Sequence, residues 1–159
     1  MYAVGENIFY PMHGAGVIEE IKYQTIASEE VLYYVIRTLV GNMMIMVPVA
    51  TAETVGLRPV IGCTEADALL SQIPTIEIHM TTNWNQRYRE NVSRIKSGDL
   101  MEVATVIKGL YCRECERGLS TGERKMLHSA RQILTSEIVC AKGCCYEDAE
   151  KELTAALVG

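Results

Sequence analysis

Val31-Leu32-Tyr33-Tyr34-Val35-Ile36-Arg37-Thr38, then Leu39-Val40-Gly41-Asn42, then Met43-Met44-Ile45-Met46-Val47-Pro48: this stretch decides the fold of the first part of the chain. Val31 to Thr38 is rich in β-branched and aromatic residues, which fit a pleated, half-buried surface. Gly41-Asn42 marks a turn, and Met43 to Val47 forms the return strand. Pro48 stops it, having no N–H to extend a ladder. Upstream, Glu6 to Tyr10 predicts a short strand closed by Pro11, and Val17 to Tyr23 predicts another. Between them, Pro11 to Gly16 reads as a turn-rich connector whose glycines permit backbone angles that other residues resist. Three or four short strands joined by tight turns imply a small, strongly bent sheet or partial barrel.

Downstream the period changes from two to helical. Thr64-Glu65-Ala66-Asp67 starts a short helix that ends before Pro74. Asn83 to Lys96 carries Tyr88, Val92 and Ile95 at helical spacing. Ser97-Gly98-Asp99 breaks that segment. Leu100 to Glu114 follows, with Val103, Val106, Ile107 and Leu110 along one stripe, and Gly118 closes it in the manner of a C-terminal glycine. Ser120-Thr121-Gly122-Glu123 has the spacing of a capping box, in which serine and glutamate satisfy each other's backbone amides. The helix it opens extends to about Cys140; Gly143 ends it, and Tyr146 to Leu157 gives a last one. The expected fold class is α+β. A bent β module over residues 1–62 leads through a short helix and linker over 63–82 to a compact helical bundle over 83–159.

Composition narrows the function classes. The longest apolar run, Met43 to Ala52, is interrupted by Pro48 and falls short of the roughly 20 residues that span a bilayer. The N-terminus lacks a basic region followed by an apolar stretch, so no signal peptide is expected. A cytoplasmic location follows, with the six cysteines as reduced thiols. The net charge of −5 argues against unspecific nucleic-acid binding by the whole surface. Its distribution carries more. Residues 1–82 hold three Lys/Arg against nine Asp/Glu, residues 83–131 hold ten against six, and residues 132–159 hold two against five. A basic middle between acidic flanks divides partner contacts along the chain.

No pattern supports catalysis. Gly14 and Gly16 lack the third glycine and the following helix of a phosphate loop. His13, His79 and His128 are dispersed, and no serine sits in a nucleophile elbow. Cys112 and Cys115 lie one helical turn apart, and Cys140, Cys144 and Cys145 crowd a helix end. Such pairs resemble zinc ligands superficially, but small buried hydrophobes have the same spacing. No cofactor, metal or small-molecule substrate is expected.

The constellation around the single tryptophan is more informative. Asn83-Trp84-Asn85-Gln86-Arg87-Tyr88-Arg89 places a large aromatic among polar and basic side chains at a helix start. Half-burial at a helix end is the commoner fate of such a ring. A wedge into a base step requires the same mixture: an apolar plate with phosphate-binding arginines and hydrogen-bonding asparagines. Arg87 and Arg94, seven residues apart, are expected on one helix face, and Arg89 and Lys96 repeat the spacing. Arg124-Lys125 opens a later helix, where free backbone amides favour a phosphate.

Several motifs in fixed order resemble the CarD-like (CdnL) bacterial transcription regulators. They are Tyr10-Pro11-Met12-His13-Gly14-Ala15-Gly16, Tyr33-Tyr34-Val35-Ile36, Val47-Pro48-Val49 and Gly56-Leu57-Arg58 in the first half. In the second half they are Asn83-Trp84-x-x-Arg87-Tyr88, Ser97-Gly98-Asp99 and Arg117-Gly118-Leu119-Ser120-x-Gly122-Glu123. The resemblance implies a Tudor-like RNA polymerase-interacting domain that binds the polymerase β subunit through an exposed strand edge, with Gln24, Tyr33, Met46 and Val47 at the contact. It implies a helical domain on promoter DNA at the upstream edge of the −10 bubble, with Trp84 as a minor-groove wedge. Asn83, Arg87, Arg89, Arg124 and Lys125 would be its DNA contacts, and the open complex would live longer. Three departures stand out: Gln24 and Met46 replace arginines frequent on the polymerase-facing strands, and Gln86 replaces a basic residue. The cysteines lie outside the pattern. The alternatives are a cytosolic metal-binding or redox-sensing protein that uses those cysteines, or a protein–protein adaptor without DNA contact.

Overall fold

The computed structural model describes all residues from Met1 to Gly159. Strands β1 (Asn7–Tyr10), β2 (Gly14–Ile26), β3 (Glu29–Thr38), β4 (Met44–Pro48) and β5 (Arg58–Pro59) form one antiparallel sheet in the order β4-β3-β2-β1-β5. Helices α1 (Cys63–Gln72), α2 (Trp84–Lys96), α3 (Leu100–Arg117), α4 (Thr121–Lys142) and α5 (Tyr146–Val158) follow. The architecture is α+β. No helix is long and apolar enough to cross a membrane.

The sheet is larger than the expected three or four short strands. β2 runs for 13 residues and β3 for 10, and β4 pairs only with Tyr33 to Arg37. The remainder of β2 and β3 continues as a two-stranded arm. β5, two residues ending in Pro59, pairs with β1 and has no counterpart in the sequence reading. Gly14 and Gly16 lie inside β2 rather than in a loop, and the connector shrinks to Pro11–His13. A Cβ on Gly14 would come within 2.7 Å of the Ser136 hydroxyl on α4. One on Gly16 would lie 2.7 Å from the carbonyl oxygen of Arg37. Close approach of other elements, not only backbone angle, is what these glycines permit.

Strand alternation splits the packing. Ile8 joins Ile18, Tyr34, Ile36, Val47, Ala52 and Leu57 in a core within the β module. Its neighbour Phe9 points to the opposite face and joins the helical core with Val103, Ile107, Leu110, Leu134 and Ile138. β1 therefore belongs to both cores. Each such fully buried aliphatic side chain contributes about 1.5–3 kcal/mol by leaving water.

Polar contacts lock the two parts together. The Arg58 guanidinium forks onto Glu137 of α4 at 2.7 and 2.9 Å, and Glu137 is wholly buried. The same guanidinium donates to the carbonyl of Gly98 and lies 4.2 Å from the centre of the Phe9 ring. The Ile61 amide donates to Glu137 at 3.0 Å, and the Ala15 amide donates to the Ser136 hydroxyl at 2.9 Å.

The segment between α1 and α2 is a strap across α3. Ile76 and Met80 pack on the helical core, and a Cβ on Gly109 would stand 2.1 Å from the Met80 methyl. The ammonium of Lys108 donates to the carbonyls of Ile73, Pro74 and Ile76 at 2.8, 2.8 and 3.0 Å. This strap delivers Trp84 to its position.

Candidate nucleic-acid interface

Two helix N-termini meet at the tryptophan. Asn83 caps α2: its side-chain oxygen accepts from the Gln86 amide at 2.9 Å, so Trp84 is the first helical residue. Ser120 caps α4 and accepts from the Glu123 amide at 3.3 Å. The indole Nε1 of Trp84 donates to the Ser120 hydroxyl at 3.0 Å, joining the two caps. One face of the indole stacks on Tyr88, with ring centres 5.0 Å apart and planes 17° from parallel. Trp84 nevertheless stays 41% exposed. With one face on Tyr88 and the N–H edge on Ser120, that exposure falls on the other face and the free edge. The caps take the Gln86 and Glu123 amides, and the remaining first-turn amides of the two helices favour negative charge beside this plate.

Below the plate lies a buried ion pair. Arg87 Nε donates to Glu123 Oε2 at 2.8 Å and Nη2 donates to Oε1 at 3.1 Å, with both side chains only 2% exposed. Nη1 donates to the carbonyls of Thr81 and Thr82, at the end of the strap. The hydrogen bond from Arg87 holds the Glu123 carboxyl below the ordinary carboxylate range, and Glu123 in turn raises Arg87. This corrects the sequence expectation for Arg87. It is not available to a phosphate, because its donors are spent on Glu123 and the strap. Arg87, Asn91 and Ile95 form the buried stripe of α2. Arg94 borders that stripe and pairs with Glu102 at 3.6 Å. The Ser120–Glu123 capping box is also half formed: serine caps, while the glutamate turns to Arg87.

The other basic residues are presented outward. Arg89, Arg124 and Lys125 are exposed. Arg124 has a loose partner in Glu114 at 3.5 Å. Lys125 rims a hollow of about 300 Å³ lined by Tyr88, Val92, Ile95 and Met126, with Met12 of the β module at its side. Asn83 is exposed, with its side-chain oxygen committed to the cap.

On the sheet, register and alternation bring Gln24, Tyr33 and Met46 to one face. Gln24 pairs with Val31, and Met46 pairs with Val35, so the strand β3 residues Val31, Tyr33 and Val35 stand in that row. Met44 and Met46 are 51% and 39% exposed there, and β4 is the end strand of the sheet. Val47 is corrected: it pairs with Tyr34, points to the opposite face and is buried in the β-module core.

Residues 2–61 match the CarD-like/TRCF RID domain family, and residues 68–154 match the CarD C-terminal domain family. The chain belongs to the CarD-like family of transcription factors. Over 143 residues this CarD-like chain is 36% identical to the candidate transcription factor YdeB of Bacillus subtilis (strain 168), covering 90% of the chain and 94% of that relative. The N-terminal match is to the polymerase-interacting type of domain shared with transcription-repair coupling factors.

Three contributors to the CarD-like site escaped the sequence reading. By spacing, Tyr88 reads as core and Ser120 with Glu123 as a local cap, and the family motifs that contain them assign them no contact with Trp84. Tyr88 at four residues from Trp84 was a legible aromatic pair at helical spacing. The partnership of Glu123 with Arg87 crosses 36 positions and had no local sign. No three His, Cys, Asp or Glu side chains gather in metal-binding geometry, and burial pushes the Cys140 thiol up.

Proposed function

We propose that this chain stabilises the open complex of bacterial RNA polymerase at promoters. The β module binds the polymerase β subunit through the face carrying Gln24, Tyr33 and Met46 and the free edge of β4. An unpaired strand edge offers main-chain donors and acceptors to a partner strand, and the methionines supply adaptable apolar contact. The helical part lies on the minor groove at the upstream edge of the −10 bubble. Trp84 is the wedge, with Arg89, Arg124 and Lys125 beside it for phosphates and Asn83 at the helix start. Arg87 enters as a support, not a contact.

The observation that carries this reading is a half-exposed indole, held by Tyr88 and Ser120 at two joined helix N-termini, with exposed Arg89 on the same helix as the indole and exposed Arg124 and Lys125 in the first turns of the other. The mechanism is differential binding: a protein that gains a contact only when the step is unstacked biases the closed-to-open equilibrium by that contact alone. Base–aromatic stacking of about 1–3 kcal/mol gives roughly a 5–150-fold bias. Tethering through polymerase raises the effective concentration, so a net-acidic chain needs little free affinity for DNA. In promoter-dissociation assays, Trp84→Ala shortens open-complex lifetime by a factor in that range while polymerase binding persists. An unchanged lifetime removes Trp84 from the mechanism.

A further inference from the structure

Ser120 does more than cap α4. Its oxygen accepts from the Glu123 amide and, at 3.0 Å, from the indole N–H of a residue 36 positions away. Its own proton faces Glu123 Oε1 at 3.4 Å. A hydroxyl has one donor and two lone pairs, so this one is fully used. The indole is a donor only. Turning it about its side-chain torsions would remove it from both Ser120 and the Tyr88 ring. Capping alone does not require a hydroxyl here, since glycine caps nearly as well as serine.

We propose that Ser120 is a positioning residue for Trp84, holding the indole in its inserting orientation before DNA arrives. The inference rests on the wedge reading above. With its single donor occupied, the side chain meets the opened step as a stacking plate. An ordered side chain also loses less freedom on insertion, an effect of about two- to ten-fold in binding.

The test uses full-length protein with RNA polymerase on a promoter, comparing wild type, Ser120→Gly, Ser120→Thr, Trp84→Phe and the Ser120→Gly/Trp84→Phe pair. Ser120→Gly keeps most of the cap and deletes the acceptor. It shortens open-complex lifetime about two- to ten-fold, and Ser120→Thr restores it. In the Trp84→Phe background, which has no N–H to lose, Ser120→Gly has no further effect. Trp84 is the chain's only tryptophan, so its fluorescence anisotropy in DNA-free protein reads the same restraint directly: it falls in Ser120→Gly and recovers in Ser120→Thr. An equal loss of lifetime in both backgrounds makes Ser120 a cap alone and overturns the proposal, as does unchanged anisotropy in Ser120→Gly. Failure of the wedge reading has a different signature: Trp84→Ala leaves the lifetime unchanged whatever the anisotropy shows.

Discussion

The molecule contains two forked arginine–glutamate pairs that look alike and serve different purposes. Arg87–Glu123 lies within the helical part, with both partners 2% exposed. Arg58–Glu137 lies between the β module and α4, with Glu137 wholly buried and the Arg58 side chain 29% exposed. The first fixes a local angle: α2 against α4, the strap carbonyls against both, and hence the tryptophan. The second fixes a long-range relation, between the sheet and the helices. Burying two charges is costly, and such pairs add little net stability compared with apolar packing. What they supply here is geometry, because a fork admits few orientations. Under the proposed function, one pair aims the wedge and the other sets the distance from wedge to polymerase.

The deeper pair gives the largest effect. Glu123→Ala leaves the Arg87 guanidinium buried without its carboxylate, and removal of one partner of such a pair costs about 3–5 kcal/mol. Chemical denaturation measures this. A loss below about 1 kcal/mol would mean that Arg87 escapes to solvent and that the two pairs are equivalent. Arg58→Ala removes the fork from Glu137 but leaves it the Ile61 amide, and solvent already reaches Arg58. About 3 kcal/mol is expected, the low end of the range for breaking a buried pair. The sharper readout is functional: Arg58→Ala keeps polymerase binding and DNA contact but weakens their coupling, so open-complex lifetime falls while pull-down on polymerase persists. A variant that lost stability with unaltered lifetime would reduce Arg58–Glu137 to a fold contact.

Acid probes the deeper pair in a second way. Glu123 has its folded pKa depressed by the hydrogen bond from Arg87. Between that value and the ordinary carboxylate value the unfolded chain binds the extra proton, so stability there rises with pH. The contribution is complete above the ordinary carboxylate range and is lost as pH falls through the depressed folded value. Denaturation midpoints measured down an acid series are expected to fall less steeply in Glu123→Gln than in wild type. Parallel slopes would place the acid sensitivity elsewhere.

How much of this was legible follows from how far apart the partners sit. The Val31–Pro48 hairpin and the helices of the second half are written in local period and in Gly, Pro and Asn punctuation, so their places are expected from sequence to within a few residues. β5 is not: two residues ending in proline have no period, and only β1 makes Arg58-Pro59 a strand. The site divides the same way. Trp84 is conspicuous because its neighbours are polar, and Asn83 because caps are local. Arg87 misleads because an arginine on a polar segment reads as solvated until Glu123 arrives from a distant helix. Val47 misleads because a one-residue step along a strand exchanges solvent for core, while Met46 beside it stays outside.

The smallest effect tests how the indole rests on α4. A Cβ at Gly122 would lie 3.7 Å from Trp84 and 3.8 Å from Tyr88, ordinary contact distances. Gly122 is also helical with no left-handed backbone requirement. Gly122→Ala therefore gains helix propensity without displacing the stacked pair, and because Gly122 is the second residue of α4 the gain is below the roughly 0.5–1 kcal/mol of a helix interior. A higher melting temperature with unchanged tryptophan emission is the expected result. A shift in that emission would mean that the Trp84–Tyr88 stack needs the open space over Gly122. The glycine would then serve presentation of the wedge, as Gly14 and Gly16 serve packing against neighbouring elements.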